Sequence, residues 1–257
     1  MEEHKPFIVD YPLMLNDLAP DAKIRGCMLF NYLQDAAGRH ADVLGLGLRQ
    51  LRDSHLIWVL SRIRLQMEDF PGYGDVLRIV TYPSGFDRLF AFRQFRLESA
   101  RTGRCFGVAG SAWLTLNPET FRPVSPEQYL RDLPHWTDSG DVFFQGDSLG
   151  KIHPPTDAEP ELPLTHRISA TQIDYNRHLN NAYYAMFTED WLGEYTRSLV
   201  RVREIQVNFN QSTAFRTHLT CRGKLEESGA FYVEGLQESG RNAFQARGTA
   251  ERLQLSD

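Results

Sequence analysis

The sequence predicts an α+β chain whose plan is written twice, a helix wrapped by a curved antiparallel sheet in each copy. Three observations carry this. Two stretches have apolar residues at helical spacing, and each is followed by four strand-like runs. A region rich in proline, glycine and aspartate separates the two series. The halves also echo each other: "LQD" (Leu33–Asp35) lies on the first helix where "TED" (Thr188–Asp190) lies on the second, and "RIRLQM" matches "VREIQV".

In chain order, "CMLFNYLQDAAGRHADVLG" (27–45) ends at a glycine and reads as a helix. "HLIWVLSRIRLQM" is β-branched and aromatic, as a strand is; the turn "FPGYGD" leads from it to "VLRIVTYP". "FDRLFAFRQFRLES" alternates, with Leu89, Ala91, Arg93 and Phe95 opposed to Phe90, Phe92, Gln94 and Arg96. "RCFGVAGSAWLTLN" is small and apolar, as a buried strand would be. The expected division is an N-terminal unit over 1–131, a connection over 132–163, and a C-terminal unit over 164–257. In the second unit a short strand precedes a helix near 180–199. The runs "REIQVNF", "FRTHLTCRGKL", "GAFYVEGLQE" and "RNAFQARGTAERL" follow as strands.

Composition narrows the function. With 42% hydrophobic and 24% charged residues, the chain has the make-up of an ordinary globular protein. It has no apolar run long enough to span a bilayer, and its acidic start, MEEHKPFIVDYP, lacks a secretory pattern. Cys27, Cys105 and Cys221 are unevenly spaced without a CxxC pair, which argues against a disulfide framework and structural zinc. A cytoplasmic location is expected, with no metal or cofactor. A net charge of −5 gives nucleic-acid binding no support.

The chemistry concentrates in "DYNRHLNNAYY", Asp174 to Tyr184. Asp174, Asn176 and His178 occupy every second position, so an extended backbone would aim a carboxylate, a carboxamide and an imidazole the same way. The plainer alternative is that Asn180 or Asn181 caps the following helix while Asp174 and Asn176 satisfy a turn.

This stretch resembles the D-x-N-x-H-x-N-N-x-x-Y segment of the plant plastid and bacterial acyl-ACP thioesterases. "LQDAAGRHADVLG", "IWVLSRIRLQMEDFPGYGD", "TYPSGFDRLFAFRQF" and "SAWLTLNPETFRP" resemble that family's N-terminal unit in the same order. The resemblance implies a double hotdog, two long helices each wrapped by sheet. It also implies hydrolysis of a fatty acyl thioester on acyl carrier protein (ACP).

For that reaction Asn176 would orient the carbonyl or the water, His178 would move the proton, and Asp174 would fix the imidazole. Backbone N–H groups around Asn180 and Asn181, at the helix start, would serve as oxyanion donors. The chain departs from the family at one point. Where the family has a Glu, often followed by Cys in plant members, "QVNFNQSTAF" puts Ser212 and Thr213. Ser212 could orient a water but cannot be an anionic base, and Cys221 reads as a buried, inert thiol.

The first half's equivalent segment, "APDAKIRGC", has no Asn or His beside Asp21, so one site per chain is expected. That leaves the first half to line an acyl pocket, with Trp58, Met67, Phe90 and Trp113 as candidates against plain core. A local excess of Arg197, Arg201, Arg203, Arg216, Arg222 and Lys224 over Glu204 suggests docking of an acidic ACP, with Arg197, Arg201 and Arg203 foremost. An acyl-CoA thioesterase and a non-catalytic acyl-thioester-binding hotdog protein are the alternatives. A hotdog dehydratase would want a histidine and an acid on opposite halves, where His40 and His55 have no such setting. The sequence leaves a homodimer open.

Overall fold

The structure, a computed structural model, describes residues 6–127, 141–155 and 161–253. It has two compact units, one made of Met1–Asn16 with Tyr32–Gly150 and the other of Asp17–Asn31 with Lys151–Asp257. The units do not follow chain order, because the segment that opens the first helix belongs to the second unit. The tandem hotdog expected from the sequence is the fold.

In the first unit, β1 (Phe7–Pro12), β2 (Ile57–Met67), β3 (Val76–Asp87), β4 (Phe90–Ser99) and β5 (Cys105–Leu116) form antiparallel pairs in the order β1-β3-β4-β5-β2. A two-residue β6 (Pro123–Val124) adds to β5. Helix α1 (Gly26–Val43) forms because Cys27, Phe30, Leu33, Ala37 and His40 recur every three or four residues and are all buried. It stops at Gly45, φ +70°, where Leu46 N–H bonds Ala41 O and Gly45 N–H bonds Asp42 O, a Schellman closure that a Cβ would strain. Two polar contacts fasten its second half to the sheet: Tyr11 donates to Asp35 at 2.6 Å, and the Arg93 guanidinium lies 2.9 Å from His40 Nδ1. A short α2 (Leu48–Asp53) follows, which periodicity did not suggest.

In the second unit, β7 (Glu161–Arg167), β8 (Val200–Phe209), β9 (His218–Leu225), β10 (Ala230–Gln237) and β11 (Asn242–Arg252) run in the order β8-β11-β10-β9-β7, all antiparallel. Helix α3 (Asn181–Thr196) buries Tyr184, Ala185, Phe187, Trp191 and Leu192. Trp191 is fully covered and donates its indole N–H to Leu162 O at 2.8 Å, so a large apolar ring enters the core without stranding its polar atom.

Much of the expected connection, 132–140 and 156–160, lies outside the described residues. Its described part is fastened rather than loose. Gln94 is fully buried on the face of β4 opposite Arg93; its Oε1 accepts from Phe143 and Phe144 N–H, and its Nε2 donates to Phe144 O and Ser84 Oγ. Every polar atom of that amide is satisfied, which makes its burial tolerable. Arg62 and Arg64 donate to the carbonyls of Leu149 and Ser148, and Phe144 and Leu149 pack with Phe92 and Ala112.

Candidate active site

The stretch from Asp174 to His178 is a turn and not extended, which corrects the alternation argument. Ile173 and Leu179 form an isolated antiparallel bridge, and between them Asp174 N–H bonds His178 O at 2.9 Å and Arg177 N–H bonds Asp174 O at 3.0 Å. Arg177 takes a left-handed backbone, φ +65°. The Asp174 carboxylate folds back as an Asx turn, accepting Asn176 N–H at 2.8 Å and, weakly, His178 N–H at 3.5 Å. Asp174 therefore holds His178 through its backbone. Asn176 is exposed and His178 half-buried.

The turn delivers the chain into α3. Asn180 is the N-cap, its side chain accepting Ala182 N–H at 2.9 Å. Its own N–H is engaged by Gln172 O at 3.0 Å, which removes Asn180 from the expected oxyanion donors. Asn181 opens the helix.

Behind the turn stands a network that the residue-level reading missed. Leu179 N–H bonds Thr213 O at 2.9 Å, and Tyr184 donates to Thr213 Oγ1 at 3.1 Å. Gln237 Nε2 donates to Ser212 O at 2.8 Å and reaches Thr213 Oγ1 at 3.4 Å. Burial pushes the Tyr184 phenol up to about 12, with the Asp174 charge adding to it against the Thr213 hydrogen bond. Tyr184 stays a neutral donor at any working pH, and Thr213 is fully buried. The available signals were Tyr184's place as the closing Tyr of the motif and Thr213's at the family's Cys position.

The other candidates separate. Ser212 is exposed, and among the described residues it takes part through its carbonyl. Cys221 is buried in β9, and burial, with Asp190 nearby, pushes its thiol up to about 12, so no thiolate forms near neutral pH. Trp58 donates to Leu46 O, Trp113 to Ser111 Oγ, and Met67 is buried. Phe90 packs against the Phe144–Leu149 strap, and the Arg62 guanidinium lies 4.7 Å over its ring. It therefore lies on the face opposite Arg93 and His40, apart from any space between helix and sheet.

The expected docking cluster does not exist as one exposed surface. Arg201 is buried, donating to Ile24 O at 3.0 Å and ion-paired with Asp21. Its side chain is spent inside the fold. Arg203 pairs with Glu251 at 2.8 Å, and Arg197 closes α3 in a left-handed conformation. His40, the dehydratase candidate, faces the Arg93 guanidinium. Burial, with that charge, pushes it down to about 3, so it is neutral. Among the described residues no group of His, Cys, Asp and Glu is arranged to hold a metal, and no helix is long and apolar enough to cross a membrane.

Two helices, each with its own antiparallel sheet and a polar turn opening the second, define a tandem hotdog protein. The acyl-ACP thioesterase N-terminal domain matches residues 5–132, and the C-terminal domain of the same family matches 156–249. The chain belongs to the acyl-ACP thioesterase family.

It is 27% identical over 188 residues to oleoyl-acyl carrier protein thioesterase 1, chloroplastic, of Arabidopsis thaliana, covering 69% of this chain and 51% of that one. It is 26% identical over 165 residues to palmitoyl-acyl carrier protein thioesterase, chloroplastic, of Cuphea hookeriana, covering 61% and 39%. The matches thus span about half or less of those relatives' length. Among solved structures, an acyl-ACP thioesterase from Bacteroides thetaiotaomicron superposes with a TM-score of 0.82 at 20% identity, covering 95% of this chain and 97% of that one. A 12:0-ACP thioesterase from Umbellularia californica gives 0.83 at 17% identity, covering 98% and 100%. At these identities the superpositions establish the fold.

Proposed function

We propose that the chain hydrolyses the thioester joining a fatty acyl chain to acyl carrier protein, releasing free fatty acid and holo-ACP. One observation carries this reading: a member of this family holds Asn176 and His178 on a tightly bonded turn at the start of α3, with Asn176 exposed and His178 half-buried. Water adds to the thioester carbonyl, the tetrahedral intermediate collapses, and the carrier's thiolate leaves and is protonated. His178 takes the water's proton and returns one to the thiolate. Asn176 orients the carbonyl or the water, and Asp174 fixes both through the turn. Asn181 is the remaining oxyanion-donor candidate at the helix start.

The second half is the catalytic one, and the first shapes the acyl pocket, in a cytoplasmic enzyme. Ser212 and Thr213, in place of the family's Glu and Cys, favour one other reading, an acyl-thioester-binding protein without turnover. No Gly-rich phosphate loop speaks for coenzyme A. Hydrolysis of acyl-ACPs from short to long chains, beside the matching acyl-CoAs, decides among the three. The expected result is release of acid from acyl-ACP with a chain-length optimum. Binding without release on every substrate would sink the hydrolase reading.

A further inference from the structure

With Arg201 buried, the expected arginines do not make one surface, and a different group of arginines borders the candidate site. Arg167, Arg177 and Arg216 are exposed, and none pairs with an acid among the described residues. Backbone bonds hold their segments together: Arg216 N–H to Ile168 O at 3.2 Å, Ile168 N–H to Thr217 O at 2.9 Å, and Leu179 N–H to Thr213 O at 2.9 Å. Across 165–180 and 210–217 the only acid is Asp174, whose Oδ1 is engaged by the turn, so the three arginines outnumber it. Beyond these segments, Glu238 is held by His218 at 2.5 Å.

Two of these arginines sit where the backbone does not favour them. Arg177 and Arg216 are left-handed, φ +65° and +67°. That region costs a side-chain-bearing residue roughly 1 kcal/mol and suits Gly or Asn. Each has an exposed aromatic within two residues in sequence: Tyr175 is 67% and Phe215 46% accessible, and the Arg216 guanidinium lies 5.1 Å over the Phe215 ring. Arginine with exposed aromatic rings is the composition of a protein-binding surface.

We infer that Arg167, Arg177 and Arg216, with Tyr175 and Phe215, form the docking surface for an acidic carrier protein. The surface brings the carrier's thioester arm to the Asp174–His178 turn. The inference rests on the proposed function for its partner. Acyl carrier proteins are strongly acidic, and a local excess of arginine beside a site raises the encounter rate with such a partner.

The test uses the full chain carrying Arg167→Glu with Arg216→Asp. Arg177 is left in place because it belongs to the candidate catalytic turn, and Asp tolerates the backbone of position 216. The expected result is a KM for acyl-ACP raised about tenfold or more, with a flattened salt dependence and kcat little changed. The same acyl group on N-acetylcysteamine should be hydrolysed as by the parent chain. Binding of a non-hydrolysable acyl-ACP amide, followed by fluorescence anisotropy, should weaken in parallel.

Unchanged kinetics on acyl-ACP would overturn the inference. So would an equal loss on the carrier-free thioester, or an equal loss on acyl-CoA, which would mark a phosphate contact instead. If the parent chain binds the amide but hydrolyses nothing, the hydrolase reading fails, and the binding loss alone decides the docking surface.

Discussion

The segments that open the two helices are the same turn carrying different side chains. Before α1, an isolated Leu18–Ile24 bridge encloses Ala19 N–H to Lys23 O at 2.7 Å, Ala22 N–H to Ala19 O at 2.9 Å, and a left-handed Ala22, φ +58°. Before α3, the Ile173–Leu179 bridge encloses the equivalent bonds from Asp174 and Arg177 and a left-handed Arg177, φ +65°. Ala19, Asp21 and Lys23 thus stand where Asp174, Asn176 and His178 stand in the other copy.

Asp21 turns into the fold and pairs with Arg201, while Asn176 faces solvent. The backbone supplies a polar-ready turn twice. Only the second copy carries an imidazole and a carboxamide, and in the first Asp21 makes a structural ion pair.

Substitutions in the two turns should have different consequences. In the second turn, Asn176→Ala should lower kcat on acyl-ACP by about 10²–10³ with an unchanged melt, the loss expected when a group stabilising developing charge is removed. Normal turnover would deny it that role.

In the first turn the effect should move from activity to stability. Arg201→Met leaves Asp21 without its partner and Ile24 O without a donor, and should cost about 3 kcal/mol in denaturant unfolding. Turnover per folded molecule should persist, and its collapse would tie the first turn to the chemistry.

A third effect is a pH dependence of opposite sign at the two helices. Glu189 of α3 accepts Cys27 N–H at the start of α1, and burial pushes its carboxyl up to about 7 from 4.5. Between those values the folded chain holds the proton more than the unfolded chain does, so this group's contribution falls as pH rises. Part of its side chain is accessible, and solvent reduces the effect to about 1–2 kcal/mol.

His40, pushed down to about 3 from 6.5, acts the other way: its contribution is complete above 6.5 and is lost as pH falls toward 3. Glu189→Gln should therefore gain stability at pH 8 and not at pH 4.5 in parallel denaturation curves. An equal gain at both would show that the carboxyl does not titrate there. The smallest effect is the cap. Asn180→Ala should cost about 1 kcal/mol, seen in a melt.

Helices and strands were legible because burial on one face imposes a period, 3.6 residues for α1 and 2 for β4. The same period misled at Asp174. Polar residues at every second position fit a strand, but they also fit a turn whose fourth residue is left-handed, and Arg177 gives no glycine to announce it. The burial of Arg201 could not be read, because its partner lies 180 residues away. Nor could the strap on Gln94, whose partners are backbone groups about 50 residues on. The motif residues were legible as types, and their geometry was not: Asp174 serves the backbone of the turn, and Thr213 supports the turn through its carbonyl and its bond to Tyr184.

The claim that one turn of the pair is catalytic is tested most directly by removing the equivalent side chain from each. Steady-state hydrolysis of acyl-ACP would be measured for His178→Ala and Lys23→Ala, with thermal melts to show both folded. kcat should fall by about 10²–10⁴ in His178→Ala, the range for losing general acid–base help, and stay parental in Lys23→Ala. Full activity in folded His178→Ala, or equal losses in the two variants, would contradict it.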